Sequence, residues 1–226
     1  MIGFEIHARQ RTVSAELIEQ FRRIPVANIS DCMSRMTAGG ARLRPMHDGT
    51  LLAGPALTVR TRPGDNLMVH KALNLAQPGD VIVVDAGGDL SNAIIGEIMT
   101  SYAASRGIAG IVINGAIRDS GTIRRNAFPV YAAGITHRGP YKDGPGEINC
   151  TVALDGMSIA PGDLILGDED GLLCVPYEQA EELYRQASAK HAAEEQTLAQ
   201  IAAGKLDTSW IDARLRAQGC TLPGQA

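Results

Sequence analysis

The sequence predicts an α/β fold with a long C-terminal helix, on three observations. Apolar runs that read as buried strands alternate with segments of helical period in the first half of the chain. Short strand-like pieces parted by Gly-Asp turns follow them, and an Ala- and Glu-rich stretch comes last. Taken in order, Ser14 precedes Ala15-Glu16-Leu17-Ile18-Glu19-Gln20-Phe21, a capping residue before apolar positions at helical spacing, which predicts a first helix. A second short helix is expected to follow Asn28-Ile29-Ser30-Asp31. Pro and Gly thicken up to Gly54-Pro55, after which Ala56 to Thr61 reads as a strand. Asp65 to Leu73 has a helical apolar period that Gln77-Pro78-Gly79-Asp80 ends. Val81-Ile82-Val83-Val84-Asp85 is a continuous apolar run suited to a buried strand. Ile94, Ile95, Ile98, Met99 and Tyr102 are expected to line one face of a helix reaching about Arg106, and Gly110-Ile111-Val112-Ile113 to form another buried strand. This βαβ alternation argues for a parallel or mixed sheet.

Downstream of Pro129 the pieces Val130-Tyr131-Ala132, 148–152, 157–159, 164–166 and 172–175 predict an antiparallel β-layer. Tyr177 to about Ala203 reads as one long helix whose apolar face is thin, so it is expected to pack on a neighbouring subunit. With 226 residues and no linker-like stretch, the chain is read as one domain, 1–226, with a core of about 26–176 and a helical extension of about 177–226.

Composition narrows the function. A formal charge of −4, with no basic block, leaves no electrostatic footprint for nucleic acid. The first ten residues are too polar for a signal peptide and no run of about 18 apolar residues exists to span a bilayer, so a cytoplasmic protein without a membrane partner is expected. Cys32, Cys150, Cys174 and Cys220 are far apart, form no Cys-x-x-Cys pair, and read as reduced structural thiols.

The sharpest local feature is Asn114-Gly115-Ala116-Ile117-Arg118-Asp119, placed directly after the strand ending at Ile113. Loops at the C-terminal ends of strands are where α/β proteins bind ligands. Arg118 offers a planar fork for a carboxylate and Asp119 a hard oxygen ligand for Mg²⁺ or Mn²⁺. The dipeptide by itself is equally a surface ion pair or a helix N-cap. Gly96-Glu97 lies upstream, with twenty residues between Glu97 and Arg118, so a helix and a strand could return the chain and bring that carboxylate to the Arg-Asp loop. Arg62-Pro63-Gly64-Asp65-Asn66 precedes another helix N-terminus, whose backbone N–H groups suit an anion. No lysine stands between Gly96 and Asp119 to form a Schiff base. Val84-Asp85-Ala86-Gly87-Gly88-Asp89 lacks a full Gly-x-Gly-x-x-Gly run and reads as a tight turn. His7, His47, His70, His137 and His191 are scattered and read as surface or helix-face residues, with His70 and His137 near the motif loops. Arg124 and Arg125 read as a solvated helix face, and Lys142 is left undecided.

In the order Gly64-Asp65-Asn66, Gly96-Glu97, Gly107 to Asp119, Phe128-Pro129-Val130, Gly144 to Asn149, Pro161-Gly162-Asp163 and Asp168 to Pro176, the chain resembles the RraA-like proteins over roughly residues 26 to 205. That family includes the 4-hydroxy-4-methyl-2-oxoglutarate and 4-carboxy-4-hydroxy-2-oxoadipate aldolases. The resemblance implies a swivelling β/β/α fold, homotrimers or hexamers with sites at subunit interfaces, and divalent-metal-dependent cleavage of 4-hydroxy-2-oxo diacids to pyruvate, with oxaloacetate decarboxylation as a companion. Residue by residue it implies that Asp119 holds Mg²⁺ or Mn²⁺ directly and that Glu97, where characterised aldolases more often carry Asp, acts through water. Arg118 is then expected to bind the substrate carboxylate, with the backbone N–H groups of Ile98 and Met99, and with Gly96 and Asn66 lining the substrate site. Glu194, with Glu195 as the alternative, is expected to reach a neighbouring subunit's site. Some RraA proteins instead bind ribonuclease E, so a non-catalytic regulator is the rival reading.

Overall fold

The computed structural model describes residues 3–34 and 41–222. Its elements in chain order are β1 (Phe4–Ile6), α1 (Ala15–Phe21), α2 (Val26–Cys32), β2 (Arg44–Pro45), β3 (Leu52–Thr61), α3 (Leu67–Leu75), β4 (Val81–Asp85), β5 (Ala93–Ile95), α4 (Glu97–Ser105) and β6 (Gly110–Ile117). There follow α5 (Ser120–Arg125), β7 (Val130–Ile135), β8 (Gly146–Ile148), β9 (Val152–Leu154), β10 (Met157–Ile159), β11 (Leu164–Gly167), β12 (Leu172–Val175), a single 3-10 turn (Tyr177–Gln179), α6 (Ala180–Ala202) and α7 (Ser209–Ala217). The chain divides into two units, residues 1–187 and 188–226, and the division falls inside α6.

Strand alternation builds the first unit around one mixed sheet. Among the described residues its main path runs β1-β8-β3-β4-β6-β7-β2, with β3, β4, β6 and β7 parallel to one another. Successive side chains of a strand point to opposite faces. Ile82 and Val84 therefore join α3 and α4 residues such as Val69, Leu73 and Ala103 on one face. Val81 and Val83 join Val152, Leu154 and Ile159 of the β9–β10 hairpin on the other. Full burial of each such side chain contributes about 1.5–3 kcal/mol, and this two-sided demand is why β4 is apolar without interruption. A third cluster seats Phe21 and Ile29 against Leu164, Leu173 and Leu183. Helices on one face and an antiparallel β-layer on the other give the mixed α/β architecture expected from the sequence. In the second unit the rest of α6 and α7 carry Leu198, Ile201, Trp210 and Ile211 exposed.

Several elements differ from expectation. α2 encloses Asn28 to Asp31 rather than following them, because Pro25, with φ −56°, starts the helix one turn earlier and Asn28 and Ile29 are the residues it buries. Ile94 and Ile95 belong to β5, not to a helix face; Gly96 in extended conformation parts them from α4, whose buried residues are Met99, Thr100 and Ala103. Ile98 is 81% exposed and Tyr102 is exposed as well. β6 runs to Ile117, so Asn114 to Ile117 are strand rather than loop: its first half pairs with β4 and its second with β5. β7 still pairs in parallel with β6; after it β8 lies antiparallel to β3 and parallel to β1, and the antiparallel pairs β9–β10 and β11–β12 come only then. α7 is an additional helix after the long one.

The four cysteines are all free. Burial pushes the Cys174 thiol well above its ordinary range, with nearby Asp163 adding to it, so that thiol is inert. Among the described residues no helix is long and apolar enough to cross a membrane.

Candidate active site

The turn between β6 and α5 is set by one backbone angle. Asp119 adopts the left-handed conformation, φ 57° and ψ 31°, at the N-cap of α5, yet its side chain caps nothing in that helix. Its Oδ2 accepts instead from the backbone N–H of Glu97, the first residue of α4, at 2.9 Å. Asp is among the residues that tolerate this conformation, and an off-pattern residue that forgoes its own cap marks a site where position matters more than local stability. Arg118 is tied to the same place, since its N–H donates to the Ile95 carbonyl at 3.0 Å and its Nε lies 3.8 Å from Asp119 Oδ2. The two side chains are 43% and 40% exposed. Asp119 is thus the N-cap residue of α5 by position, but its carboxylate serves the neighbouring helix.

Gly96 makes the approach possible. A Cβ at this position would lie 2.4 Å from Asp119 Oδ2 and 2.9 Å from Arg118 Cγ. Glycine is required here by the close approach alone, because its φ of −153° is open to any residue.

These groups share a cleft of about 150 Å³ whose walls include Asn66, His70, Gly96, Ile98, Met99, Arg118, Asp119, Pro140 and Lys142. Expected residues Asn66, Gly96, Ile98, Met99, Arg118 and Asp119 are therefore brought together. Glu97 is exposed and joins the cleft through its backbone rather than its carboxylate. Met99 N–H donates back to the Gly96 carbonyl at 3.1 Å, whereas Ile98 N–H has no partner among the described residues. Asn66 is buried; its Nδ2 donates to the Ile94 carbonyl at 2.8 Å, and its Oδ1 has no partner among the described residues. Asp65 organises the loop before it: Oδ1 accepts from Leu67 N–H at 2.9 Å, and Oδ2 accepts from Asp143 N–H at 2.7 Å and Gly144 N–H at 2.9 Å. Glu194 lies on α6 in the second unit, where it pairs with Lys190 at 2.9 Å, and Glu195 lies next to it, 3.8 Å from His191.

His70 and Lys142 are wall residues that pattern reading did not assign. His70 was legible in principle, one helical turn after Asn66 and so on the same face of α3. Lys142 carried no local signal, since it arrives through Tyr141 and Asp143, which bond to Gly64, Asn66 and Asp65. Burial, and then the Lys142 charge, hold the His70 imidazole below its ordinary value, which keeps it neutral near pH 7.

The donor set fits a hard divalent ion of the Mg²⁺ type. Asp119 Oδ1 accepts no hydrogen bond among the described residues, and Asn66 Oδ1 is a buried oxygen without a donor. Among the described residues no three His, Cys, Asp or Glu side chains converge. A single carboxylate, with water and substrate oxygens completing the shell, matches the way Mg²⁺ is commonly held.

Comparison with known proteins identifies the family. The RraA-like family, described as Aldolase/RraA, matches residues 26–174. A protein of Halalkalibacterium halodurans named "putative 4-hydroxy-4-methyl-2-oxoglutarate aldolase" is 42% identical over 180 residues, covering 80% of this chain and 86% of that one. An uncharacterized protein from Pseudomonas syringae pv. tomato superposes with a TM-score of 0.77 at 26% identity, covering 85% of this chain and 95% of that one. The RNA-processing inhibitor RraA from Thermus thermophilis superposes with a TM-score of 0.62 at 32% identity, covering 67% of this chain and 92% of that one. The chain that places Gly96, Arg118 and Asp119 around this cleft is a member of the RraA-like family.

Proposed function

We propose that the protein is a divalent-metal-dependent lyase that cleaves 4-hydroxy-2-oxo diacids, of the 4-hydroxy-4-methyl-2-oxoglutarate type, to pyruvate and a second carbonyl compound. The observation that carries the reading is the left-handed Asp119, whose carboxylate leaves its own helix uncapped to stand beside Arg118 over Gly96. The relative's name supports the same reaction class.

Arg118 takes the carboxylate of the 2-oxo acid in its planar fork, and Lys142 supplies a second cation for the distal carboxylate. Asp119, with water and the substrate, would hold Mg²⁺ or Mn²⁺, which when bound polarises the 2-oxo group as a Lewis acid. As the C3–C4 bond breaks, its electron pair passes to C3 and is shared with the 2-oxo oxygen, and Arg118 offers fixed positive charge there. C4 becomes a carbonyl only if its hydroxyl loses a proton, which the Glu97 carboxylate would take through water. Delivery of a proton to C3 completes pyruvate. Oxaloacetate can lose CO₂ by the same electron flow, so decarboxylation belongs to the proposal. So does assembly into trimers or hexamers in which Glu194 serves a neighbouring site.

The test is pyruvate release from 4-hydroxy-4-methyl-2-oxoglutarate and from oxaloacetate. Excess EDTA should abolish it and Mg²⁺ or Mn²⁺ restore it. Full activity after thorough chelation sinks the metal, and substrate trapping by borohydride points to Schiff-base chemistry instead. The regulator reading, which the solved RNA-processing inhibitor keeps in view, requires no metal-dependent release at all.

A further inference from the structure

Residues 4–14 form a strap on the first unit, outside the residues the family matches. Within the strap only Val13 is buried, and all three residues of β1 are exposed. β1 pairs in parallel with β8, Phe4–Ile6 against Gly146–Ile148. His7 N–H extends the ladder by donating to the Ile148 carbonyl at 3.0 Å, and Asn149 Nδ2 donates to the His7 carbonyl at 2.8 Å.

Two arginines then tie the strap to two turns of the same sequence, Pro78-Gly79-Asp80 and Pro161-Gly162-Asp163. Asp80 accepts from Gln77 N–H and Asp163 from Ala160 N–H, each at 2.8 Å. Arg9 Nη1 lies 2.6 Å from Asp80 Oδ1, and Arg11 Nη2 lies 3.7 Å from Asp163 Oδ1 while Arg11 also pairs with Glu178. The Arg9–Asp80 pair is largely buried and the Arg11 pairs are partly so; a segment held by a few backbone bonds and such pairs, with one apolar anchor, opens locally at a small part of the free energy of global unfolding.

The first residue of the strap, Phe4, lies on the loop that bears Lys142. A Cβ at Gly144 would be 3.4 Å from the Phe4 ring and 3.7 Å from Leu67, so the ring covers this glycine beside the start of α3. The same loop is held on its other side by Asp65, through the Asp143 and Gly144 N–H groups. We propose that the strap is a clasp: seated, it holds residues 140–148 and with them Lys142 at the cleft; released, it frees that loop while the core stays folded. His7, Arg9 and Arg11 are positioning residues in this scheme.

Two variants of the full chain test it. His7→Pro removes the N–H that donates to Ile148, and the double variant Arg9→Gln/Arg11→Gln removes both ionic ties. In each, amide hydrogen exchange across 4–7 and 143–148 should quicken by about tenfold or more, with 81–84 and 110–113 unchanged. Faster exchange in 4–7 with 143–148 unmoved overturns the clasp, and so does a loss of protection that spreads to 81–84. The catalytic arm rests on the proposed lyase reading. There, KM for the diacid should rise by about threefold or more with kcat within about twofold of the parent. A fall in kcat at unchanged KM would break the link to Lys142. Because exchange is read without substrate, a chain with no lyase activity sinks the proposed function and leaves the clasp to be judged on exchange alone.

Discussion

Replacing Gly96 by Ala perturbs the site while sparing the fold. The added methyl would stand 2.4 Å from Asp119 Oδ2, 2.9 Å from Arg118 Cγ and 3.1 Å from Arg118 Nε, so both side chains must move. The backbone does not object, because φ of −153° and ψ of −166° are extended values that alanine adopts freely. Displacing Asp119 also lengthens or breaks the 2.9 Å bond from Glu97 N–H, which ties α4 to the Arg118-Asp119 turn. A hydrogen bond to a charged group contributes about 1.5–3 kcal/mol, and the lower end applies here because Asp119 is 40% exposed. Stability should therefore fall by no more than about 1–2 kcal/mol. Activity should suffer more: with both charged groups out of place, a loss of about 2–4 kcal/mol in transition-state stabilisation corresponds to roughly 30- to 1,000-fold in kcat/KM. The assay is pyruvate release at saturating Mg²⁺, with circular dichroism and urea unfolding run on the same preparation. A folded Gly96→Ala protein within twofold of the parent would show that neither the close approach nor the Arg118-Asp119 pair is used, and the mechanism would fall with it.

Arg118→Lys keeps the cation and loses the planar fork, so kcat and KM should both worsen, again by about 2–4 kcal/mol in kcat/KM; a surface ion pair would change by only about 0–1 kcal/mol. Because the folded His70 is held below its ordinary value of 6.5, the unfolded chain binds the proton first as pH falls. Stability is thus complete above about pH 6.5 and is lost as pH falls toward the lowered folded value; urea midpoints at pH 7.5 and 5.5 should lie closer together for His70→Gln, and an unchanged gap refutes the assignment. Glu194→Ala and Arg118→Ala subunits, each inactive alone, should regain part of their activity when reassembled together; no recovery despite proven subunit exchange would mean that the site is not shared.

Much of the scaffold was legible because its causes are local. Ser14 sits where a cap must be, and its Oγ accepts from Leu17 N–H at 3.3 Å. Gln77-Pro78-Gly79-Asp80 stops α3 because Gly79 takes φ 89° and Asp80 caps the turn with its carboxylate. Val81 to Val84 announced a two-sided strand because both faces of β4 are buried. The pairing partners were not legible in the same way. Ile94-Ile95 could be a helix face or a strand, and what decides is the second half of β6, more than twenty residues away, which β5 pairs with. Likewise Val130–Ile135 is a strand in either reading, and only its place beside β6 makes it parallel.

The amino-acid sequence by itself determined the fold class, the stops and starts of α1 and α3, the buried strands, and the residue types of the site, since apolar period, capping oxygens and the Gly96, Glu97, Arg118 and Asp119 spacing are properties of short stretches. Tertiary structure alone decided that Asp119 turns left-handed to serve α4 rather than α5, that Gly96 leaves room for it, and that His70 and Lys142 complete the wall. The physical reason is that convergence of side chains depends on how strands and loops far apart in the chain come to pair, and pairing is an energy shared between partners that neither stretch encodes alone.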